Sequence, residues 1–440
     1  MKKLIFTIKQ LPRIKSSRLL QSLRSAERKS ADEIAGLNWE RRCNLLKSAL
    51  RTPFYRKRFA QIGLEPGDVK CEKDWERIPV LTRNDVQEHM PEMVADDIKL
   101  ESLYAATTGG STGQPLKRYR PRNVPYEAFT ARMLGWWNVG MWENSCYIFR
   151  HGYRGWRKTV NDLMWWPTRR EFLNAANMSE AKCADFYSRI CRIKPTLLVG
   201  YVGAVSNFAE YLVRSGLSLP FDLKAVWTTS APLPEALRAN LQDVFGCNVY
   251  SQYGCCETEH LAAECKCQRG MHIHADWRHL EIVDDAGGCL PVGESGRVLI
   301  TDMLVTEVPL IRYALGDRGM LLKEKCSCGN HLPLMAPVSG RISEAFPMPD
   351  GSRVSGDFLT TIFDQYPDAI QGFRVHQAKD YSVTVEYIPR DEEVLRTALV
   401  AVRRSMEELT KSQVPIRFVP VESIPHDRGK TRYVTTEVKG

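Results

Sequence analysis

The sequence has no long apolar run. None of its stretches approaches the roughly 20 apolar residues that a membrane-spanning helix needs, and the patch Leu4-Ile5-Phe6-Thr7-Ile8 is too short for a signal-peptide core. The 13 cysteines are an odd number and include the adjacent pair Cys255-Cys256, which does not suit a regular disulfide framework. We therefore expect a soluble globular protein with reduced thiols and a cytoplasmic location.

The sequence also lacks the two commonest phosphate-binding fingerprints. Residues 107–115 read Thr-Thr-Gly-Gly-Ser-Thr-Gly-Gln-Pro, but no Gly-Lys-Ser/Thr follows and the three spaced glycines of a dinucleotide site are missing. Backbone N–H groups in such a loop can still surround phosphate oxygens, although an ordinary surface loop is the alternative. The residues predicted to hold nucleotide phosphates are Thr108, Gly109, Gly110, Ser111, Thr112 and Gly113.

No nucleic-acid recognition signature accompanies the net charge of +9. Lysine and arginine dominate residues 2–29, where acids are almost absent before Glu27. The favoured interpretation is a solvated basic helix, and contact with an anionic membrane surface is the less favoured one. A basic surface also suits polyanionic ligands such as ATP and coenzyme A.

The length of 440 residues and the 43% apolar composition predict a large domain followed by a smaller one. Residues 30–65 have helical periodicity, and apolar strands alternate with amphipathic helices over residues 195–255, which predicts an α/β fold with a parallel sheet. Residues 280–335 predict an antiparallel or barrel-like subdomain. The pattern then starts afresh after residue 341 and predicts an α+β domain of roughly a hundred residues.

Four short motifs follow one another in a fixed order: Tyr253-Gly254-Cys255-Cys256-Glu257, Arg312 to Asp317, Gly340-Arg341 and Gly429-Lys430. With the glycine-rich loop they resemble the adenylate-forming (acyl-CoA synthetase-like) superfamily. The resemblance extends from about residue 40 to the C-terminus and is to the phenylacetate–CoA ligase branch, in particular its CapK-like members found with polysaccharide biosynthesis. It implies an AMP-binding domain over residues 1–340, with a helical lead-in at 1–65, and a small mobile α+β lid over residues 341–440.

The resemblance implies a role for several side chains. Glu257 matches the magnesium-binding glutamate and Lys430 matches the lysine of the adenylation half-reaction, so these two are the predicted catalytic residues. A carboxylate near a triphosphate can hold Mg²⁺, and a long cationic side chain can reach the α-phosphate. The other predicted nucleotide contacts are Ser230, Ala231, Pro232, Tyr253 and Gly254 around adenine, Asp317 at the ribose, and Arg341 at the domain junction.

A set of cysteines and histidines has the composition of a structural zinc site. The candidate ligands are Cys265, Cys267, His272, Cys326 and Cys328. Two Cys-x-Cys clips separated by some sixty residues can close a tetrahedral site, and relatives pair similar segments, with one of Cys265 or Cys267 as the fourth ligand. Scattered thiols that serve as small apolar side chains are the alternative. His274 is a spare and is interpreted as a strand histidine.

The acyl site is less specified. The resemblance places Gly200-Tyr201-Val202-Gly203 where relatives line the substrate pocket, and the tryptophans from Trp136-Trp137 to Trp165-Trp166 are candidate contacts or core anchors. The chain departs from the family pattern at Leu116, Cys256 and Ser343. Cys256 replaces the motif threonine near the α-phosphate and Ser343 stands where related ligases carry a hinge aspartate, and these two departures matter most. The resemblance thus implies adenylation more firmly than the thioester half-reaction.

The predicted function is ATP- and Mg²⁺-dependent activation of a carboxylic acid, forming an acyl-adenylate and then a coenzyme A thioester. The first alternative is transfer of the acyl group to a carrier protein, an amine or a hydroxyl in polysaccharide or natural-product biosynthesis. The second alternative, of another class, is a catalytically weak nucleotide-binding scaffold of envelope-polysaccharide assembly.

Overall fold

A computed structural model of the chain provides the structure. It describes residues 2–10, 14–108, 116–150, 152–153, 155–175, 178–338, 346–354, 359, 362–363, 366, 369–422, 424 and 434–438. The chain forms two compact units. The first comprises Met1–Thr82, Glu92–Ile98 and Pro121–Gly340, and the second comprises Arg83–Pro91, Lys99–Arg120 and Arg341–Gly440.

The described helices are α1 (Lys2–Gln10), α2 (Ile14–Ala26), α3 (Ala31–Ala49), α4 (Pro53–Gln61), α5 (Glu72–Glu76), α6 (Arg83–His89), α7 (Glu127–Trp136), α8 (Trp156–Trp165), α9 (Glu180–Ile193), α10 (Val202–Arg214), α11 (Glu235–Phe245) and α12 (Glu392–Leu409). Short 3₁₀ turns occur at Pro66–Asp68, Met90–Met93 and Leu100–Ser102. None of the helices in the described ranges combines the length and the apolar character that crossing a membrane requires.

The described strands of the first unit are β3 (Ser145–Phe149), β4 (Arg170–Asn174), β5 (Leu197–Tyr201), β6 (Ala225–Thr229), β7 (Val249–Cys255), β8 (Glu259–Glu264), β9 (Met271–Ile273), β10 (Arg278–Val283), β11 (Ser295–Asp302), β12 (Leu310–Met320) and β13 (Leu334–Met335). Those outside it are β1 (Leu103–Thr108), β2 (Leu116–Pro121), β14 (Phe346–Pro347), β15 (Arg353–Val354), β16 (Ile370–Gln377), β17 (Val383–Pro389), β18 (Ile416–Pro420) and β19 (Val434–Thr436). Strand β2 ends at the residue where the first unit resumes.

The main sheet of the first unit has the order β13-β9-β8-β7-β6-β5-β3-β4. Strands β4, β3, β5, β6 and β7 are parallel, and β8, β9 and β13 continue the sheet antiparallel. Helices α8 to α11 lie between successive parallel strands, as βαβ crossovers require. The α/β class predicted from the alternation at 195–255 is therefore confirmed.

The N-terminal helices are an integral part of the first unit. Ser30 begins α3 with a capping box, since its hydroxyl accepts from the Glu33 N–H while the Glu33 carboxylate accepts from the Ser30 N–H. Leu19 and Leu23 of α2 pack on Phe129 of α7 in a shared apolar cluster. The predicted helical lead-in thus forms part of the core.

Strands β10, β11 and β12 form a separate antiparallel sheet over the region predicted to be antiparallel or barrel-like. Its register changes between the pairs Arg297–Arg318 and Leu299–Ala314, because β11 advances by two residues there while β12 advances by four. Gly316 lies within this bulge at φ +81°, a backbone conformation that glycine adopts without strain. The bulge changes the direction of the strand just before Asp317.

The C-terminal part of the second unit has an α+β arrangement. Its sheet has the order β18-β17-β16-β19, and Asp391 caps α12 by accepting from the Glu393 N–H at 2.9 Å. Val402 and Met406 of α12 are buried in the apolar cluster of this sheet. The helix therefore begins at a side-chain cap and packs on the sheet through its apolar face.

Candidate active site and metal centre

Parallel strands bring separate sequence motifs to one edge of the main sheet. Tyr201 ends β5, Ser230 follows β6, and Glu257 follows β7 after Cys255. The carboxyl ends of parallel strands lie on the same side of a sheet, and ligands of open α/β sheets bind outside those ends. The topology therefore groups three predicted motifs that are up to 56 residues apart in sequence.

Ser230 has an unusual backbone. Its φ is +74°, and its side chain is exposed at the carboxyl edge, directly after the buried strand β6. A non-glycine residue in this conformation costs free energy, and such residues cluster where a site needs a particular loop path. Ala231 is half-buried and Pro232 is exposed beside it, so the predicted adenine wall is a turn at the sheet edge.

Tyr253 and Asp317, predicted separately, are hydrogen-bonded to each other. The Tyr253 hydroxyl donates to Asp317 Oδ2 over 2.9 Å and so links β7 to the bulge of β12. Tyr253 is 7% exposed, and Asp317 is half-buried. A carboxylate with one oxygen held in this way is oriented before any ligand arrives, because the phenol restricts its rotation.

Residue 254 has no room for a side chain, which explains the glycine. A Cβ at this position would lie 1.9 Å from the Glu259 carbonyl oxygen across the β7–β8 hairpin. Any other residue would force the hairpin apart and displace Tyr253 and Glu257 on either side of it. The glycine of the motif is thus explained by packing.

Glu257 lies in the turn between β7 and β8 and is 6% exposed. The Tyr313 hydroxyl donates to Glu257 Oε1 over 3.2 Å. Tyr313 lies within the motif from Arg312 to Asp317, and the sequence predicted no role for it. Its pairing with Glu257 joins β7 to β12 a second time, and only the spatial proximity of those strands reveals it.

Several predicted contacts lie outside the described residues: Gly109, Gly110, Ser111, Thr112, Gly113, Arg341 and Lys430. Thr108 is the last residue of β1, and its side chain is also outside the description. The glycine-rich segment connects the paired strands β1 and β2. The roles of these residues stay predictions.

The predicted acyl segment lies at the point where the strand order reverses. Strand β3 pairs with β4 on one side and β5 on the other, so the chain changes direction across the sheet there. The Phe149 and Tyr201 rings at the ends of β3 and β5 meet edge to face at 4.9 Å. Gly200 packs tightly, since a Cβ there would be 2.8 Å from Val205.

The tryptophans have different environments. Trp137 is buried and stacks on Tyr250 with ring centroids 5.0 Å apart, which confirms a core anchor. Trp166 is 56% exposed, and its indole therefore does not anchor the core.

Four of the predicted metal ligands converge. The ligand atoms of Cys265, His272, Cys326 and Cys328 all lie within 4.8 Å of one another. The Cys265 and Cys326 sulfurs are 3.5 Å apart, and Cys328 Sγ is 3.3 Å from His272 Nε2. This spacing fits four donors around one ion, and sulfur with imidazole nitrogen is the donor set that zinc prefers.

Hydrogen bonds around the cluster prepare its atoms as ligands. His272 Nδ1 lies 3.2 Å from the Leu332 carbonyl, so this nitrogen carries the proton and Nε2 keeps its lone pair. Backbone N–H groups of Cys267 and Asn330 donate to the sulfurs of Cys265 and Cys328 over 3.4 Å each. At Cys265 burial outweighs the backbone donor and raises the pKa of the thiol, whereas burial lowers the pKa of His272 and keeps the ring neutral.

Cys267 and His274 lie outside this group of four. The Ser327 hydroxyl donates to Cys267 Sγ over 3.5 Å, so that only the backbone of Cys267 serves the cluster. His274 is fully buried with its Nδ1 3.4 Å from Arg132. Between Cys265 and Cys267, the geometry favours Cys265. All thirteen cysteines are in the described ranges and are free thiols.

Comparison with known proteins identifies relatives. No protein-family model matches the chain. The chain is 26% identical over 313 residues to a phenylacetate-coenzyme A ligase of Thermus thermophilus, covering 67% of each protein. It is 25% identical over 278 residues to the ligase of that name from Pseudomonas putida and 22% identical over 255 residues to protein CapK of Staphylococcus aureus. These matches cover 61% and 55% of this chain, and 62% and 53% of those proteins.

Solved structures match over nearly the whole chain. A 2-hydroxyisobutyryl-CoA ligase in its thioesterification state has a TM-score of 0.62 at 18% identity, covering 94% of this chain and 92% of that one. The chain has the adenylate-forming ligase fold and is related to phenylacetate–CoA ligases and CapK. The predicted resemblance to this superfamily and branch is confirmed. The same ligase in its postadenylation state matches with a TM-score of 0.61 at 19% identity, covering 94% of this chain and 91% of that one.

Proposed function

We propose that this protein is an ATP-dependent carboxylate-activating enzyme that forms an acyl-adenylate and transfers the acyl group to coenzyme A. The observation that carries the proposal is the hydrogen bond between Tyr253 and Asp317, next to the buried Glu257, at the carboxyl edge of the sheet. Relatives named as phenylacetate-coenzyme A ligases, and a ligase of this fold described with an acyl-AMP and CoA, support the same reaction class.

Asp317 is proposed to accept hydrogen bonds from the vicinal ribose hydroxyls. A carboxylate has lone pairs for two donors besides the Tyr253 phenol, and such charge-assisted bonds are stronger than neutral ones. The turn of Ser230, Ala231 and Pro232 would flank the adenine. These groups bind the part of ATP that does not react, and their role is to place the α-phosphorus.

The reaction places negative charge on phosphate oxygens. A carboxylate oxygen of the acid attacks the α-phosphorus, the bond from that phosphorus to the bridging oxygen of pyrophosphate breaks, and pyrophosphate leaves. In the second step the sulfur of coenzyme A attacks the acyl carbon and loses its proton, and AMP leaves. Since no redox change occurs, the protein's task is positioning and charge compensation.

Glu257 fits the role of a magnesium ligand. Its carboxylate is mostly buried and is oriented by Tyr313, and oxygen is the donor type that Mg²⁺ prefers. When bound with ATP, the ion would neutralise charge on the phosphate oxygens. The protein's part is to hold one carboxylate oxygen in a fixed direction.

Lys430 is proposed to bring a cation to the α-phosphate, and Arg341 and the segment 108–113 to contact the nucleotide. The resemblance supports these three assignments. A lysine side chain is long and flexible, which suits delivery of charge to a reacting group.

Pyrophosphate release with ATP, Mg²⁺ and a panel of aryl, fatty and short-chain acids tests the proposal, with and without coenzyme A. We expect release that depends on one class of acid and a loss of at least about a hundredfold in Lys430→Ala, since a cation is removed from the developing charge. Coenzyme A should raise the turnover of the wild type.

Lys379→Ala is the matched control, because Lys379 is an exposed lysine of the second unit outside the proposed site. It should retain full activity. Equal activity in both variants would overturn the role of Lys430. The absence of acid-dependent release for all acids, with ATP bound, would overturn the enzyme proposal and favour the scaffold interpretation.

The acyl acceptor is tested by the same panel. The chain is similar to protein CapK. The resemblance to CapK-like members of the family, which are found with polysaccharide biosynthesis, supports an amine, a hydroxyl or a carrier protein as the alternative acceptor. Acid-dependent pyrophosphate release that coenzyme A does not stimulate would favour this alternative.

A structural zinc ion is the second part of the proposal. Cys265, His272, Cys326 and Cys328 would hold it, because their ligand atoms converge and because Cys265, His272 and Cys328 each have an outer hydrogen-bond partner. The cluster joins the end of β8, strand β9 and the loop before β13. Such an ion would stabilise this corner of the first unit and take no part in the reaction.

A further inference from the structure

Half of the exposed large apolar side chains lie in two neighbouring helices. Of fourteen such side chains among the described residues, seven belong to α1 and α8 or directly follow α8. We call this set the α1–α8 face: Leu4, Ile8, Trp156, Val160, Leu163, Met164 and Trp166. Their exposed fractions range from 45% for Val160 to 73% for Leu163. Scattered exposed apolar residues are ordinary, but a concentration of this kind marks an interaction surface.

Helix α8 exposes an apolar stripe to solvent, whereas a usual surface helix exposes its polar face. Trp156, Val160 and Leu163 recur at spacings of four and three, so they lie in one stripe, and this stripe is exposed. The opposite face contains Asn161, which is 6% exposed, and Lys158, which is paired with Asp162 at 2.7 Å and Glu171 at 3.4 Å. The polar side of the helix therefore packs on the protein, and the apolar side points away from it.

Helix α1 is fixed beside the C-terminal end of α8. Lys9 Nζ donates to the carbonyls of Leu163 and Trp166 at 3.0 Å each. The Phe6 ring is buried and lies 6.3 Å from the Trp165 ring. Leu4 and Ile8, four residues apart on the other side of α1, are 65% and 55% exposed. The structure thus holds two apolar stripes on adjacent helices.

The charge of the two helices has one sign. Their sequences contain Lys2, Lys3 and Arg157, besides Lys9 and Lys158, which contact the protein, and the single acid Asp162 is paired with Lys158. Tryptophans at the edge of an apolar face, with lysine and arginine around it, match the interface of a bilayer, where indole rings lie at headgroup level. We propose that the α1–α8 face binds the surface of a membrane containing anionic lipids.

The apolar side chains and the positive charge together favour a lipid surface over a second copy of the chain. A second copy of the chain would bring the same positive charge to the face, and like charges would oppose each other across it. An anionic lipid surface offers a negative charge for the lysines and an apolar layer for the leucine, methionine and tryptophan side chains. Both helices would lie along the membrane surface. The inference does not depend on the proposed reaction.

Co-sedimentation of the full chain with lipid vesicles tests this proposal. The vesicles are phosphatidylcholine alone, or phosphatidylcholine with about one third phosphatidylglycerol. We expect binding to the anionic vesicles that weakens as salt is added. The double variant Leu163→Glu, Met164→Glu should lower the partition coefficient at least about tenfold, because it places two charges in the apolar layer.

The matched control is the double variant Val213→Glu, Val400→Glu. These valines are 65% and 67% exposed, like the altered residues, but lie on α10 and α12. The control should bind as the wild type does. Failure of the wild type to bind anionic vesicles, or equal binding by both double variants, would overturn the proposal.

A charge variant covers the case in which the α8 substitutions disturb folding. Lys2→Gln, Lys3→Gln leaves every apolar residue in place and should reduce both binding to anionic vesicles and its salt dependence. Binding with an unchanged salt dependence in this variant contradicts the proposal. Sedimentation velocity tests whether the face binds a second copy instead. If the wild type is a dimer that does not bind vesicles, and Leu163→Glu, Met164→Glu converts it to a monomer, the face is a dimer interface and the proposal is wrong.

Discussion

At the scale of single residues, the pairing of Tyr253 with Asp317 converts two separate motif residues into one unit. The phenol lies on β7 at the point where its pairing with β8 changes register, and the carboxylate lies on the bulge of β12, which contains Gly316 at φ +81°. A bulge beside a site is a common way of directing one side chain out of a sheet. The orientation of Asp317 therefore depends on both Gly316 and Tyr253.

Tyr253→Phe removes only the hydroxyl that holds Asp317. We expect the KM for ATP to rise at least about tenfold, with kcat changing less, because a hydrogen bond to a charged group contributes about 1.5 to 3 kcal/mol. Acid-dependent pyrophosphate release at varied ATP concentration measures both constants.

Tyr187→Phe is the matched control, because it removes a tyrosine hydroxyl outside the proposed site. Its hydroxyl donates to the Ser218 carbonyl at 2.8 Å from helix α9, and its loss should leave the KM unchanged. An unchanged KM in Tyr253→Phe as well would show that Asp317 needs no support from the phenol.

At the scale of elements, the cysteine and histidine cluster connects chain segments that have few backbone bonds between them. Strand β13 pairs with β9 over only two residues, and Cys326 and Cys328 lie in the loop before β13. A bound ion would join this loop to the end of β8 and to β9. Its contribution to the free energy of folding would concentrate in this corner of the first unit.

Cys328→Ser should abolish stoichiometric zinc in the purified protein and lower the melting temperature by more than about 5 °C, since a closed zinc site contributes directly to folding. Elemental analysis and thermal unfolding measure the two effects. Cys267→Ser is the matched control, because this neighbouring thiol is outside the group of four. Wild-type protein that binds no zinc, or equal loss in both variants, would contradict the site.

At the scale of the whole molecule, the first unit buries several arginine side chains in ion pairs. Arg132 is paired with Asp276 at 2.9 Å, Arg278 with Asp302 at 2.6 Å and Arg312 with Glu281 at 2.9 Å, all with side chains almost fully buried. Removing one partner of such a pair leaves a buried charge, which is strongly destabilising. After burial, arginines are the second cause of lowered pKa values at nearby histidines.

Buried histidines with lowered pKa values make stability depend on pH, and His260 and His279 are two of them. Burial and, secondarily, Arg278 lower the pKa of His260 to about 3, and burial with Arg42 and Arg312 lowers the pKa of His279 well below its usual range. Glu281 lies 3.8 Å from His279 on its other side. The unfolded chain takes up protons below about pH 6.5 and the folded chain does not, so the free energy of unfolding falls as the pH drops from about 6.5 towards 3.

Each of the two histidines should contribute about 1.4 kcal/mol of lost stability per pH unit in this range. Urea unfolding at pH 7 and pH 5 measures the effect as a shift in the midpoint. The double variant His260→Gln, His279→Gln should show a smaller shift between the two pH values. An equal shift would assign the pH dependence to other groups.

The sequence by itself determined the class of the fold and most of its elements. Apolar periodicity of two and of 3.6 is local information, so the strands and helices predicted over residues 195–255 are present, and strands and a helix follow residue 341 as predicted. The ordered motifs also predicted the relatives. Glycine at 254 and 316 could be read as motif residues, although only the structure explains them by close packing and by a positive φ.

Only the tertiary structure decided which residues meet. The partners Tyr253 and Asp317 are 64 residues apart, and Tyr313 joins Glu257 because a bulged antiparallel strand lies beside the main sheet. Cys265, and not Cys267, has its sulfur within 4.8 Å of the other three candidate ligand atoms, which sequence spacing does not reveal. The outward stripe of α8 is the clearest case: periodicity predicts that an apolar face exists, but whether it faces the core or the solvent depends on contacts from distant parts of the chain.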